Sequence, residues 1–413
     1  MLLVIGPLVG MSFIGAVTAY GELSGVNGTA AGVGEAFSPL VGIWAPTFSA
    51  CELAAAFLLP FVGIRLVSGD WHSGALKIEM QHPLSSFARV SIKSAVLLAG
   101  WMIATMPALI GVMLWASYGG SIYLPELLTV IAGHLLNGCL TIALAAAAAA
   151  LTEHPATAAI VTLTVTVGTW LINFAAAVNG GWWERAAAYT PTAMVAEFQR
   201  GLWRADVTLV AVCLILAGIA LAAIWLRLGV TIRRRVQEAG AIAVALALAI
   251  AAASSVTASA DTSESRRNSF STSEESALGS ITGDLRITAH FAPEDPRRSD
   301  LELRAFRKLR RALPRVQVTY VSATSTGLFE QTADQYGEIQ YELNGKRLVS
   351  RITTAEGVLE SVLEIAGVSA PPDSGAIFRG HPLAARPRGA AAVFYLVWPL
   401  AIAAMAFYFQ GRK

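Results

Sequence analysis

Few residues in this chain have the types and spacing that chemistry requires. The sequence contains no G-x-x-x-x-G-K-[ST] pattern, so the chain lacks a P-loop of its own for holding ATP phosphates. Neither a G-x-S-x-G nor an H-E-x-x-H pattern occurs. Six histidines are scattered without the short spacing of metal ligands: His72, His82, His134, His154, His290 and His381. We therefore expect no catalytic residue, no metal and no cofactor in this chain.

One ionisable residue, Glu52, lies deep within an apolar stretch of the sequence. A charged group at such a depth costs roughly 2.5 to 3.5 kcal/mol on insertion scales, so it usually faces a helix bundle or an aqueous cavity. Glu52 is therefore the intramembrane polar candidate for a functional role. Two other interpretations remain open: a structural hydrogen bond, or a position nearer the outer surface of the membrane.

The composition changes at about residue 260. The whole chain of 413 residues is 55% hydrophobic and 14% charged, against roughly 25% charged in an average soluble domain. The first 260 residues hold 11 basic and 11 acidic side chains, and the remaining 153 residues hold 19 and 17. The first part is typical of a membrane protein and the second of a soluble domain. A net charge of +2 excludes a generally polybasic nucleic-acid binder.

A membrane-spanning helix needs about 20 largely apolar residues. Eight stretches meet this requirement, at approximately 2–20, 41–66, 93–117, 126–151, 156–178, 206–227, 239–260 and 390–409. No basic segment precedes the first stretch, which favours a retained span over a signal peptide. That stretch is short, and we expect that a cytoplasmic helix before it could be missing.

Basic residues near span ends are retained in the cytoplasm, and their distribution predicts the orientation of the chain. They concentrate at 65–93, at 227–235 and at Arg412 and Lys413, whereas the loop at 21–40 has none. Both termini are then cytoplasmic and residues 261–389 lie in the periplasm. The loop at 179–205 is an exception, because it is external yet contains Arg185, Arg200 and Arg204. Its tryptophans and tyrosine predict a short interfacial or re-entrant helix, or else an ordinary loop with an aromatic belt.

The polar segment 261–389 has the periodicity of a soluble α/β domain. Residues 285–292 and 316–322 alternate like half-buried strands, and a capping-box pattern at Ser299 opens a helix between them. Residues 337–343 and 346–352 are joined by Asn344-Gly345, which predicts a type I′ hairpin. A helix follows at about 354–366. This order of elements is that of a thioredoxin-like domain, and without cysteines in the segment thiol redox chemistry is excluded.

The first helix of this segment has a basic face that could bind anionic lipid headgroups, a polyanionic glycan or an acidic partner. An ordinary solvated helix face is the alternative. Its candidate anion-binding residues are Arg304, Arg307, Lys308 and Arg311, with Arg310 beside them.

The segment after the second apolar stretch resembles the cytoplasmic loop of ABC-2-type permeases. In that family an acidic residue, a glycine, a leucine and then Pro-x-Ser follow an apolar span. The matching residues here are Asp70, Gly74, Leu76, Pro83 and Ser85, whereas Ala75 and Lys77 depart from the usual Thr and Glu. The resemblance implies that this loop couples the spans to a separate ATPase subunit, and that the chain forms a homodimer or pairs with a second permease.

A second resemblance concerns the polar segment. Residues 284–291, residues 293–298 and Tyr336-Gly337 look like the periplasmic auxiliary domain of gliding-motility (GldG-like) ABC transporters. The two resemblances together imply four parts: an ABC-2-like permease domain at 1–236, a seventh span at 237–260, a periplasmic auxiliary domain at 261–389 and a last span with a basic tail at 390–413.

The sequence therefore predicts the permease subunit of an export-like ABC transporter in the bacterial inner membrane, with no nucleic-acid partner. The rival interpretation is a non-transporting scaffold or force-transmitting protein whose periplasmic domain binds an envelope component. A membrane enzyme is a third class, disfavoured because no catalytic constellation is present.

Overall fold

The computed structural model describes residues 1–27, 37–72, 83–152, 154–179, 182–227, 229–292, 295–313, 315–321, 335–369 and 378–410. The chain forms two compact units. The first, which we call the membrane unit, combines Met1–Thr262 with Arg379–Lys413, and the second, the inserted domain, is Ser263–Phe378. This division is narrower than the expected 261–389, because residues 379–388 belong to the membrane unit.

Eight helices within the described residues are long and apolar enough to cross a membrane. The protein is therefore a multi-pass helical membrane protein. We number these helices as spans 1 to 8: Leu2–Gly25, Leu40–Arg65, Ser86–Ser117, Leu124–Leu151, Pro155–Ala176, Ala205–Trp225, Ile232–Ala253 and Ala390–Gln410. Each of the eight expected stretches contains one of these helices, although the helix of the seventh ends at Ala253.

The seventh span differs from its expected bounds of 237–260. Its helix begins at Ile232 and ends at Ala253, so that it includes Arg233, Arg234 and Arg235 in its first turn. Arg234 forms an ion pair with Glu238 of the same helix, and Arg227 reaches Glu238 from span 6. Hydropathy alone places the start too late, because long basic side chains can extend to the interface while their backbone remains helical.

Short helices and strands complete the membrane unit. After span 5 come the helices Trp182–Ala187 and Pro191–Gln199 and the strand β1, Leu202–Arg204. Strand β2, Ser259–Asp261, follows span 7 and pairs antiparallel with β1. The hydroxyl of Thr262 donates to the carbonyl of Gly201 at 2.9 Å and lies 2.8 Å from the hydroxyl of Thr129. The segment after span 7 is thereby attached to the loop before span 6 and to span 4.

A second attachment involves residues 379–388, which the sequence assigns to a tether. The backbone N–H of His381 donates to the carbonyl of Phe37 at 2.8 Å, and the carbonyl of His381 accepts from the hydroxyl of Tyr20 at 2.8 Å. Leu383 donates to Ser24 Oγ, and Arg388 accepts from the hydroxyl of Tyr118. These bonds hold the segment against the ends of spans 1 and 3, which is why it belongs to the membrane unit.

The inserted domain contains a four-stranded sheet. Its strands are β3 Leu285–Ala289, β4 Val316–Tyr320, β5 Ile339–Leu343 and β6 Lys346–Ser350. They lie in the order β4-β3-β5-β6, with β3 and β4 parallel and the other neighbouring pairs antiparallel. The helices are Thr272–Gly279, Pro296–Leu301, Arg307–Ala312 and Ala355–Ala366, and a π-helical turn, Glu302–Phe306, joins the second to the third. The expected β-α-β unit, hairpin and last helix are all confirmed.

The first helix of the β-α-β unit begins earlier than the capping-box pattern predicts. Its N-cap is Asp295, whose carboxylate accepts from the backbone N–H of Arg297 at 2.9 Å, and the first helical residue is Pro296. Ser299, the expected cap, donates its hydroxyl to the carbonyl of Pro296 instead. Both residues are good caps, but proline favours the first helical position, which selects Asp295.

The hairpin turn provides a stability prediction for the inserted domain. Asn344 and Gly345 have φ values of 50° and 79°, and a β-branched side chain in this region costs about 1–2 kcal/mol. We expect Gly345→Val to destabilise the separately expressed domain by that amount in thermal or urea unfolding. Gly279→Ala is the control, since nothing lies within 4 Å of its added methyl and its φ is not positive; an equal loss in both variants would contradict the turn assignment.

Candidate functional site

Glu52 lines a pocket of about 400 Å³ in the membrane unit. It lies twelve residues after Leu40, about 18 Å along span 2, and thus near the middle of the span. The lining residues are Ser49, Glu52, Leu53, Trp170, Asn173 and Thr192. They come from span 2, from the last turns of span 5 and from the short helix Pro191–Gln199.

The helix of span 2 is irregular just beyond Glu52, and Pro60 explains why. Proline has no N–H to donate to the carbonyl four residues earlier, which here belongs to Ala56. The hydroxyl of Thr166 in span 5 lies 3.4 Å from that carbonyl and donates to it. Nearby, the rings of Phe57 and Trp170 meet edge to face at 6.0 Å. These two contacts join spans 2 and 5 beside the pocket. The regular helix of span 2 ends at Phe57 and resumes at Leu59.

The polar lining residues Asn173 and Thr192 make hydrogen-bond contacts with residues outside the pocket. The side-chain amide of Asn173 lies 3.1 Å from the hydroxyl of Thr190, which is the N-cap of the helix Pro191–Gln199. The hydroxyl of Thr192 lies 3.3 Å from that of Thr169. The Asn173 side-chain oxygen therefore accepts from Thr190 and keeps a second lone pair, while its NH2 group is a hydrogen-bond donor.

The helix Pro191–Gln199 packs against the first half of span 4. Gly133 allows this approach, because a Cβ there would lie 2.4 Å from the Cβ of Phe198. Gln199 Nε2 lies 3.2 Å from His134 Nε2, and His134 is ten residues into its span, about 15 Å from its start. The expected short helix between spans 5 and 6 is present, and its residue Thr192 lines the pocket.

His134 is a second ionisable group deep in a span, so Glu52 is not alone, contrary to the sequence-based expectation. Its side chain is 1% exposed, and its ring lies 5.4 Å from that of Phe48 on span 2. A signal for it exists in the sequence: His134, Asn137 and Thr141 share one helix face at i, i+3 and i+7. These polar residues fall inside an apolar stretch, so the mean hydropathy of the stretch does not reveal them.

The carboxylate of Glu52 has no hydrogen-bond or ion-pair partner among the residues that the structure describes. Ser49, one turn away on the same face, donates its hydroxyl to the carbonyl of Pro46 at 2.6 Å. The interpretation of Glu52 as one half of a structural hydrogen bond therefore gains no support. The arrangement presents one acidic group in a pocket whose other polar side chains, Ser49, Asn173 and Thr192, are uncharged.

The residues of the expected coupling loop are described only in part. Gly74 and Leu76 lie outside the described residues, and so does the side chain of Asp70, which belongs to the helix Leu59–His72. Ser85 is the N-cap of span 3 and accepts from the backbone N–H of Ala88 at 3.1 Å. Pro83 is exposed just before it. The structure therefore places a helix end at Ser85.

The basic face of the inserted domain is largely engaged with its own neighbours. Arg310 pairs with Glu302, and Arg311 donates to the carbonyl of Asn268. The ammonium group of Lys308 lies 5.6 Å above the ring of Phe270. Arg304 is exposed, and Arg307 is half-buried. These contacts favour the interpretation of an ordinary helix face over a dedicated anion site.

Asp295 is the centre of a polar cluster at the start of the same helix. Its carboxylate accepts from the guanidinium of Arg297 at 2.7 Å and from the hydroxyl of Tyr336 at 2.7 Å. Arg297 in turn lies over the ring of Phe291, 5.1 Å from its centre. The hydrogen bond from Arg297, followed by that from Tyr336, holds the pKa of Asp295 well below its ordinary value.

This lowered pKa gives a pH prediction. A carboxyl whose pKa is lower in the folded state than in the unfolded state stabilises the fold above the unfolded pKa of about 3.9, and this stabilisation is lost as the pH falls. We expect the separately expressed inserted domain to lose stability between about pH 5 and pH 3, and Asp295→Asn to lose less over that range. Thermal unfolding at several pH values measures how the stability of the wild type and of Asp295→Asn changes with pH. An equal change in both proteins would contradict the role of Asp295 in this pH dependence.

Among the described residues, no group of three or more His, Cys, Asp or Glu side chains is placed to hold a metal ion. Comparisons of the chain with protein-family models, with curated proteins and with solved structures find no match in any of the three. Function must therefore be inferred from the geometry and the sequence motifs of this chain.

Proposed function

We propose that this chain is the transmembrane permease subunit of an ABC-2-type, export-like ABC transporter in the bacterial inner membrane, and that a separate subunit hydrolyses ATP. The observation that carries the proposal is the pocket at Glu52. An unpaired acidic group near the middle of a span typically marks a pathway for a substrate or an ion. Span 2 also contains Pro60, and the helix is irregular at Leu58 close to the pocket, as expected for a proline-induced kink.

Span 2 offers a route by which an ATPase subunit would act on this pocket. Its second helical segment runs from Leu59 to His72, beyond the membrane end of the span at Arg65 and into the expected coupling loop. ATP binding in the partner would move the loop at 68–88, and the continuous helix would carry that motion to the interruption at Leu58. Because Glu52 lies less than two turns from this interruption, a tilt there would change the shape of the pocket.

The attachments at one end of the membrane unit support the proposed orientation. The ends of spans 1 and 3, the start of span 4 and the loop before span 6 are hydrogen-bonded to the segments 259–262 and 381–388. These segments must therefore share one side of the membrane, as an eight-span topology requires. Arg204 in the loop before span 6 donates two hydrogen bonds to Asp206, at 2.6 and 3.2 Å, so its charge is paired within the chain.

The strand order of the inserted domain supports a thioredoxin-like auxiliary domain. In that fold the first strand lies between its parallel partner and an antiparallel hairpin, and β3 lies between β4 and β5 in this way. We propose that this domain is periplasmic and resembles the auxiliary domain of gliding-motility-type transporters.

A cross-linking experiment tests the proposed partner. Leu84 is 47% exposed just before span 3, in the expected coupling loop, whereas Met113 is 70% exposed near the opposite end of that span. In a cysteine-free background, Leu84→Cys in native membranes should form a thiol-specific cross-link to a protein that mass spectrometry identifies as a P-loop ATPase. Met113→Cys is the control and should form none. Recovery of no ATPase with either variant would contradict the proposal.

One observation favours the second candidate function, a force-transmitting scaffold. Residues 381–388 are bonded to two spans through Tyr20, Ser24 and Tyr118, and β2 is bonded to the loop before span 6. A load applied to the inserted domain would reach the bundle through these bonds. In that case loss of the attachments would impair function, and Glu52→Gln would have no effect.

A further inference from the structure

The Glu52 pocket has one wall open to the outer surface of the chain. Leu53 and Trp170, which line the pocket, are 44% and 36% exposed. Beside Trp170 on the same span, Leu171 and Phe174 are 69% and 72% exposed. Such side chains on a membrane-spanning helix face lipid or another apolar partner. The pocket therefore opens sideways at the level of the lipid chains, not only toward water.

The charge inside the pocket has no counter-charge within the described part of the chain. Every described Lys and Arg of the membrane unit lies within about two turns of a span end or beyond it, whereas Glu52 lies near the middle of its span. An ionised carboxylate in apolar surroundings requires a cation or several hydrogen-bond donors. The only polar neighbours in the pocket lining are Ser49, Asn173 and Thr192, all uncharged.

We propose that this pocket binds the headgroup of a single-chain cationic amphiphile, an alkylammonium compound that enters from the lipid. The ammonium group would donate to the carboxylate of Glu52, to the second lone pair of the Asn173 side-chain oxygen and to the Thr192 hydroxyl oxygen, while the alkyl chain passes between Leu53 and Trp170. A volume of about 400 Å³ holds a headgroup and part of a chain, so the rest remains in the bilayer. The inference deepens the proposed function and rests on it for the role of the ligand as cargo.

Carbodiimide labelling of the full-length protein in lipid nanodiscs tests this site. Dicyclohexylcarbodiimide is a hydrophobic reagent that modifies carboxyl groups in apolar surroundings, and mass spectrometry locates the product. Because a carbodiimide-activated carboxyl also couples to a primary amine, protection is measured as the fraction of Glu52 that remains unmodified, with the N-acylurea and the alkylamide both counted as modified. We expect Glu52 to be modified without ligand and decylamine to slow its modification at least tenfold. Decanol has the same chain without the charge, and propylamine has the charge without the chain; neither should protect at equal concentration.

Two controls lie within the chain. Glu126 is 1% exposed in span 4 and should not be labelled, whereas Glu52→Gln should lose the modification at that site. Asn173→Leu removes the amide at similar size and should weaken protection by decylamine about tenfold to hundredfold, as expected for one charge-assisted hydrogen bond.

Several outcomes would overturn the inference. Equal protection by decanol would show an apolar groove without cation selectivity, and equal protection by propylamine would show an aqueous cation site. Failure of decylamine to protect, or failure of Glu52 to react at all, would show that no amphiphile reaches the carboxylate. Because the assay needs no ATPase, it is separable from the proposed function. If decylamine protects Glu52 but cross-linking recovers no ATPase, the binding site stands and the proposed transporter function is rejected. If an ATPase is recovered but decylamine does not protect Glu52, only the binding site is rejected.

Discussion

Replacing Gly10 with leucine is expected to detach span 8 from span 1. A Cβ at position 10 would lie 2.4 Å from the Cβ of Phe394, a separation that real side chains do not show. Gly6, one turn earlier, is equally crowded, with its Cβ position 2.1 Å from the ring of Trp398. Trp398 also donates its indole N–H to the carbonyl of Leu2 at 2.8 Å. Spans 1 and 8 thus approach closely through small residues, the usual device in membranes.

We expect Gly10→Leu to reduce stability by about 1–3 kcal/mol through overpacking, and to lower the yield of folded protein in the membrane. A fluorescence melting curve in detergent measures the effect. Gly15→Leu is the matched control on the same span, because nothing lies within 4 Å of the Cβ position at Gly15. If both variants melt like the wild type, spans 1 and 8 do not pack as described.

Glu52→Gln is expected to have the largest functional effect. Glutamine keeps the shape and hydrogen-bonding capacity of the side chain but removes its charge. If the carboxylate acts on a substrate, ATP-driven transport or coupled ATPase activity should fall at least about tenfold, which corresponds to 1.4 kcal/mol, while the complex stays assembled. Ser49→Ala is the control within the pocket, since its hydroxyl is already bonded to the carbonyl of Pro46.

Glu52→Leu separates a structural role from a functional one. If the role of the Glu52 carboxylate is structural, Glu52→Leu should assemble poorly and Glu52→Gln should keep nearly normal assembly and activity. Full activity and normal assembly of Glu52→Leu would contradict any role for this residue in the pocket. Size-exclusion chromatography of the complex, together with activity, distinguishes these results.

The spans and the hairpin could be predicted because their signals are local. Twenty apolar residues must form a helix in lipid, and Asn344-Gly345 determines its own turn. The residues that share the pocket with Glu52 are a different case. Asn173 and Thr192 are more than a hundred residues away in the chain, and no pattern in span 2 identifies them. Only the packing of span 5 and the helix Pro191–Gln199 brings them together.

The attachments of residues 381–388 were also beyond prediction. They are bonds to the backbone and to scattered hydroxyls, as between Tyr20 and His381, which leave no periodic pattern. A segment that contains proline and lacks apolar periodicity is typical of a linker, although here its polar groups are satisfied by the ends of the spans. The start of span 7 was misplaced for a related reason, because three arginines at 233–235 lower the average hydropathy of a turn that is nevertheless helical.

The most direct test of ATP-driven motion at the pocket uses a spin label at Leu53, which lines it and is 44% exposed. A nitroxide on Leu53→Cys, in a background without Cys51, Cys139 and Cys213, reports local mobility in the purified complex. A label on Met113→Cys, 70% exposed near the C-terminal end of span 3, is the control. We predict that trapping the complex with ATP and vanadate changes the spectrum at position 53 and leaves that at position 113 unchanged. An identical spectrum at position 53 in both states, while the complex hydrolyses ATP, would contradict the account.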